Sequence, residues 1–63
     1  SEAPCVNQVA YALYNKGVLY NQLNRIPELL MVCDELIERF EHSQDDSVLS
    51  LVSNVKVVKQ SYQ

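Results

Sequence analysis

The sequence contains little of what most catalytic and metal sites require. It has one glycine, one histidine, two cysteines and no tryptophan among its 63 residues. One glycine is too few for the glycine-rich loops that cradle phosphate groups, and the two cysteines do not form the C-x-x-C spacing typical of zinc sites. No nucleophile with a neighbouring base can be recognised either. These absences predict a protein that is not an enzyme and that requires no cofactor and no metal.

Basic residues are also scarce. Five Lys and Arg stand against eight Asp and Glu, which gives a formal net charge of −3. The five are scattered along the chain, whereas proteins that bind nucleic acid cluster such residues on one face. No apolar run approaches the roughly 18 residues of a membrane span. We therefore expect neither nucleic acid nor a membrane as a partner, and the compartment stays open, with the cytoplasm favoured.

The chain is short, and residues 1–63 form either a single small domain or a fragment of a larger one. A chain of this size buries only about 60% of the surface that its unfolded form exposes. Such chains are stabilised by further repeats, a partner chain, disulfides or a metal. We expect Cys5 and Cys33 to lie roughly 18 Å apart along a helical hairpin, beyond the roughly 7 Å that a disulfide spans. Association with other protein surfaces is the stabilisation that we expect.

The spacing of apolar residues predicts three helices, over about residues 6–22, 26–41 and 47–61. Asn24 and Pro27 place the start of the second helix between them, because asparagine caps helices and proline is tolerated only in a first turn. The third segment is rich in valine, but strict alternation fails there, so a helix is favoured over a strand. The predicted fold class is all-α: an antiparallel helix-turn-helix hairpin followed by a third helix.

The first helix carries the only glycine of the chain near its middle. Because a glycine has no side chain, we expect the second helix to approach closely at Gly17. Leu19 and Leu23 widen the apolar side of the first helix, which predicts that it packs against two neighbours. Lys16 falls within the same apolar arc, where its long stem allows the ammonium group to reach water.

The opposite side of the first helix is the candidate binding surface. Its aromatic and amide side chains bury apolar area while keeping hydrogen-bonding groups, as residues at protein interfaces do. The residues predicted to bind a peptide or protein are Tyr11, Tyr14, Val18, Asn21 and Gln22. Tyrosines near a helix surface also commonly complete the packing of a core, and this alternative stays open for both of these tyrosines. In the third helix, Leu49 and Val57 project away from the apolar stripe and are predicted to contact another copy of the chain.

Residues 11–40 resemble a tetratricopeptide repeat, a helix-turn-helix unit of about 34 residues. The residues that carry the resemblance are Leu13, Gly17, Tyr20, Leu29, Cys33 and Leu36. In that family stacked hairpins form a superhelix, and the first helices line a concave groove that binds peptides. The resemblance therefore implies a groove lined by the same aromatic and amide residues of the first helix. The third helix then either caps the array or begins another repeat.

The sequence thus predicts a non-catalytic protein-interaction module that binds a peptide or protein segment through its first helix. The alternative is a self-association unit of a larger tetratricopeptide-repeat protein. Because at least three repeats are normally needed for stability, we expect the isolated chain to form homo-oligomers. The identity of the partner, the number of repeats and the oligomer order are not specified by the sequence.

Overall fold

Three helices are present in the computed structural model, which describes residues 6–62, with side chains from residue 7 onwards. They are α1 (Val6–Gln22), α2 (Ile26–Phe40) and α3 (Asp46–Ser61), and these described residues include no strand. The prediction of an all-α fold with a hairpin and a third helix is confirmed. Compared with the expected bounds, α2 ends one residue earlier and α3 begins one residue earlier. Cys5 lies outside the described residues, and Cys33 is a buried free thiol.

The second helix lies at the centre of the fold. It contacts both α1 and α3, and α1 and α3 also contact each other. The chain reverses direction after α1 and again after α2, so α1 and α3 run in the same direction on α2. As a result, the first and third helices lie side by side.

The core is built mainly from α2 and α3. The largest side chains that are fully buried are those of Leu36, Val48 and Cys33. The other buried apolar residues are Ala10, Leu29, Val32, Phe40, Leu51, Val52 and Val55. Since α1 supplies only one of the ten, its contribution to the core depends on how closely its backbone approaches α2.

That approach occurs at Gly17, as the sequence indicated. A Cβ atom added there would lie 3.3 Å from Cγ1 of Val32 and 3.6 Å from Cδ1 of Leu29. The first distance is tighter than an ordinary van der Waals contact. The absence of a side chain at Gly17 therefore allows α1 and α2 to touch.

The turn between α1 and α2 differs from the expectation that Asn24 caps the second helix. Asn24 instead has a positive φ of 57° and ends the first helix. Its N–H donates to the carbonyl of Asn21 (3.1 Å), and the N–H of Arg25 donates to the carbonyl of Tyr20 (2.8 Å). These two bonds form a Schellman motif, which satisfies the last carbonyls of a helix. Arg25 occupies the N-cap position of α2 without a side-chain hydrogen bond, and Pro27 lies in the first turn.

The left-handed backbone at Asn24 leads to the first prediction. Replacing Asn24 by alanine should lower the free energy of unfolding by about 0.5–1 kcal/mol, since only glycine and asparagine adopt this conformation readily. Glycine at the same position should be neutral or slightly stabilising. Thermal unfolding followed by circular dichroism measures both. Equal midpoints for the alanine and glycine variants would contradict this role of Asn24.

The start of α3 is fixed by Asp45, which occupies the N-cap position of this helix. Its carboxylate oxygen Oδ1 accepts hydrogen bonds from the N–H groups of Ser47 (2.8 Å) and Val48 (3.3 Å). The side chain of Asn7, from α1, is the largest cause that lowers the pKa of Asp45, followed by the N–H of Val48. Asp45 therefore joins the first turn of α3 to the first turn of α1.

The lowered pKa of Asp45 predicts a pH dependence of stability. Because the folded chain favours the charged carboxylate, its stabilising contribution is present above the unfolded pKa of about 3.9 and is lost as the pH falls through the lower folded value. An Asp45→Asn variant keeps a good N-cap but does not titrate. We expect the melting temperatures of the two proteins to differ most above about pH 5 and to converge below about pH 3. A difference that stays constant across this range would contradict the assignment.

Candidate protein-binding groove

An apolar hollow lies among the three helices and opens to solvent, and we call it the groove. Its volume is about 130 Å³. Its walls are formed by Tyr14, Val18 and Asn21 of α1 and by Val55 and Val58 of α3. The residues of α2 that line it include Leu29, Cys33 and Leu36. The position of the groove follows from the fold, because two parallel helices on a third leave a furrow between them.

Polar contacts join the walls of the groove at both ends of α1. At one end the hydroxyl of Tyr62 donates a hydrogen bond of 2.9 Å to Oδ1 of Asn21. At the other end the side chain of Asn7 lies close enough to the carboxylate of Asp45 to lower the pKa of that carboxyl group. The apolar hollow lies along α1 between these contacts. The walls are thus tied together while the apolar surface between them stays accessible.

The structure places three of the five predicted binding residues in the groove. These are Tyr14, Val18 and Asn21. Tyr11 and Gln22 lie on the same helix and are exposed, but they do not line the hollow. Tyr14 is half-buried and also packs against the core, so this side chain has a structural role as well as a position in the groove.

Two residues of α3, Val55 and Val58, line the groove and were not predicted as site residues. Tyr62, which follows α3, closes one end of the groove through its hydrogen bond to Asn21. The sequence did indicate the position of Val55 and Val58, because they are three residues apart and lie on the same apolar side of α3. Which helix they would face was not encoded in the periodicity of α3 alone.

The residues that border Val18 and Val58, on the two walls of the groove, are uncharged. Helix-surface neighbours are the residues three and four positions away. For Val18 these neighbours are Tyr14, Asn15, Asn21 and Gln22. For Val58 they are Asn54, Val55, Ser61 and Tyr62. All eight are uncharged, so the side chains that border the two walls offer amide and hydroxyl groups around an apolar centre.

The thiol of Cys33 faces this hollow but is unsuited to act as a nucleophile. Its side chain is 1% exposed. Burial raises the pKa of the thiol, and the neighbouring carboxylate of Asp34 raises it further. Because the thiolate is the reactive form, Cys33 contributes apolar surface to the groove.

An ion pair beside the groove holds α3 against α2. Nζ of Lys59 lies 2.6 Å from Oδ1 of Asp34. Both side chains are partly exposed, so the pair adds at most about 1 kcal/mol to stability. Its main effect is to hold the last turns of α3 beside α2, where Val58 lines the groove.

The second apolar side that was expected on α1 is not covered in the structure. The prediction that α1 packs against two neighbours is confirmed, because α1 contacts both α2 and α3. Leu19 and Leu23 are nevertheless exposed and are not covered by the second neighbour. The second neighbour of α1 is α3, which lies on the side of Tyr14 and Asn21. Lys16 is exposed, with Nζ 5.9 Å from the centre of the Tyr20 ring.

The two residues predicted to contact another copy differ in exposure. Val57 is 66% exposed, whereas Leu49 is half-buried. The two do not adjoin on the surface of α3, because eight positions separate them and place them about 80° apart around the helix. Of the pair, Val57 presents the larger accessible apolar surface.

Metal sites, membrane helices and known relatives give no further assignment. Within residues 6–62, no group of three His, Cys, Asp or Glu side chains is arranged to hold a metal ion. None of the three described helices combines the length and apolar character needed to cross a bilayer. Comparisons with protein-family models, with curated proteins and with solved structures find no match to this chain.

Proposed function

We propose that this chain is a non-catalytic protein-interaction module whose groove receives an extended segment of a partner protein. The observation that carries the proposal is the apolar hollow between α1 and α3. An exposed concave apolar surface with a few polar groups at its rim is the usual form of a binding site. The partner segment would insert one apolar side chain between the helices.

The size of the groove supports a single inserted side chain. An apolar cavity of about 150 Å³ accommodates benzene, and the groove measures about 130 Å³. A leucine side chain matches this volume. Burying such a side chain contributes about 1.5–3 kcal/mol, which alone gives only weak binding. Contacts along the rest of α1, including Tyr11 and Gln22, would supply the remaining affinity.

The uncharged residues that border Val18 and Val58 define the chemistry of the segment. A charged residue next to the inserted side chain would lose hydration without gaining an opposite charge, which is costly. Amides such as Asn54 and Gln22 instead suit the N–H and C=O groups of an extended backbone. We therefore propose a segment in which one apolar residue is flanked by uncharged residues.

The resemblance of residues 11–40 to a tetratricopeptide repeat also supports this proposal. In that family the first helices of successive hairpins line the binding groove. Here α1 and α3 run side by side, and Ala10, Leu13 and Tyr20 correspond to Val52, Val55 and Tyr62 at a constant separation of 42 residues. We propose that α3 is equivalent to the first helix of a following repeat.

Selection from a random peptide library displayed on phage tests the proposal. We expect enriched peptides to carry one Leu, Met or Phe among uncharged residues. Their affinity for a Val18→Lys variant should fall at least tenfold, because the lysine places a charge on the wall of the groove. Val18 is 41% exposed, so this change should leave the fold intact, as circular dichroism will verify.

Val57→Lys is the matched control. It introduces the same side chain at an exposed valine of α3 that does not line the groove. We expect its affinity for the selected peptides to equal that of the unmodified chain. Equal losses in both variants, or peptides whose binding is unaffected by Val18→Lys, would overturn the proposal.

A further inference from the structure

A second exposed surface lies on the α1–α2 hairpin, away from the groove. It combines apolar side chains from both helices, of which Leu23 is 57% exposed and Met31 is 71% exposed. A shallow depression of about 140 Å³ separates the two helices there. We call this surface the outer face and define it by Lys16, Leu19, Leu23, Glu28, Met31 and Glu35.

The charges of the outer face are divided between the two helices. Lys16 is the only charged residue of α1. Glu28 and Glu35 lie across the depression on α2, and all three side chains line it. Glu28 and Glu35 are seven positions apart, about 10 Å along α2, and Lys16 lies across the depression between their levels. The positive charge is thus on one side of the depression and the two carboxylates are on the other.

This division makes the outer face complementary to itself. A two-fold axis parallel to the helices places α1 of one copy over α2 of the other, and positions along the axis are preserved. Lys16 of each copy then lies opposite Glu28 and Glu35 of the other, while the exposed leucines and Met31 meet between them. Glu28 and Glu35 each pair with an arginine of the same chain through Oε2, so each carboxylate would be shared between that arginine and Lys16 of the second copy.

We propose that the outer face binds a second copy of this chain through such a two-fold axis, forming an antiparallel four-helix contact. Isologous contacts of this kind are the commonest in soluble oligomers. The proposal moves the self-association surface from Leu49 and Val57, on α3, to the α1–α2 hairpin. It leaves the groove open, so it does not depend on the proposed peptide binding.

The area of the outer face sets the expected affinity of the dimer. Two helices of 15 and 17 residues present a surface roughly 23 Å long and about 20 Å wide. About 900 Å² is then buried in total, below the range of about 1,200–2,000 Å² of stable complexes. We expect a reversible dimer with a dissociation constant between about 10 µM and 1 mM. Sedimentation equilibrium over a concentration range of about 20 µM to 2 mM brackets this dissociation constant.

Charge reversal tests the proposed geometry. In Lys16→Glu the new glutamate of each copy lies opposite Glu28 and Glu35 of the other. In Glu35→Lys the new lysine lies opposite Lys16 of the other copy, and only Glu28 still attracts it. Each variant alone should dimerise at least about fivefold more weakly than the unmodified chain. An equimolar mixture of the two should form a heterodimer with an affinity near that of the unmodified chain, because opposite charges meet again across the axis.

The control pair is Lys56→Glu mixed with Glu41→Lys. These variants have the same net charges, but the changes lie off the outer face at exposed positions, so we expect no preferential heterodimer. Met31→Gln should weaken the dimer about tenfold without loss of helicity, whereas Val18→Lys, in the groove, should leave it unchanged. A chain that is still monomeric at about 2 mM would overturn the proposal. A mixture of the two charge-reversed variants that shows no association between them would also overturn it.

Discussion

Replacing Leu36 by alanine should lower the free energy of unfolding by about 2–5 kcal/mol. Leu36 is completely inaccessible to solvent and lies on α2, the helix that contacts both others. Removing a buried leucine side chain costs about 2–5 kcal/mol. A chain of this length has a total stability of roughly 3–9 kcal/mol. The substitution therefore removes a large part of what holds the three helices together.

The loss of the Leu36 side chain should also change the shape of the groove, because Leu36 lines it. Urea unfolding, followed by the circular dichroism signal of the helices, measures the change in the free energy of unfolding. Met31→Ala, on the same helix but 71% exposed, is the control and should change stability by less than about 0.5 kcal/mol. Similar losses for the two variants would show that α2 does not occupy the centre of the fold.

Replacing Gly17 by leucine should separate α1 from α2 and destabilise the protein by about 2–3 kcal/mol. A Cβ atom at Gly17 already lies 3.3 Å from Val32, and the rest of a leucine side chain has no space without movement of the helices. Alanine is a different case. The added methyl group requires only a small shift of Val32, and alanine favours a helix by about 1 kcal/mol over glycine. We expect Gly17→Ala to be close to neutral.

The double variant Gly17→Leu with Val32→Ala separates crowding from a general loss of stability. If crowding against Val32 is the cause, Val32→Ala should cost less in the leucine variant than in the unmodified chain, by about 1 kcal/mol or more. Chemical unfolding of the four proteins gives this coupling energy. Strictly additive losses would mean that the two helices do not meet at this point.

The three helices could be predicted because the residues that mark their starts and ends act locally in the sequence. Pro27 fixes the first turn of α2, Asp45 caps α3, and helical spacing of apolar residues separates α3 from a strand. The close approach at Gly17 was equally accessible, since a lone glycine within a helix of apolar residues marks a site of contact. These features depend on residues that are neighbours in sequence or on one helix face.

The position of α3 on α1 was not predictable in the same way. The apolar residues of α1 extend around much of the helix, so periodicity alone did not decide whether its second neighbour would cover Leu19 and Leu23 or the side of Tyr14. Contacts such as Tyr62 with Asn21 join residues 41 positions apart, and no local pattern specifies them. The role of Asn24 was missed because asparagine is favoured both as an N-cap and in the left-handed conformation after a helix.

The parallel arrangement of α1 and α3 is the feature on which the groove depends, and nuclear Overhauser effects test it most directly. We expect cross-peaks between the ring protons of Tyr62 and the side-chain amide protons of Asn21, whose polar atoms lie 2.9 Å apart. At the other end of α1 we expect cross-peaks between the side chains of Asn7 and Asp45. Cross-peaks from Tyr62 to the first turn of α1, or no contacts between the two helices, would contradict the arrangement.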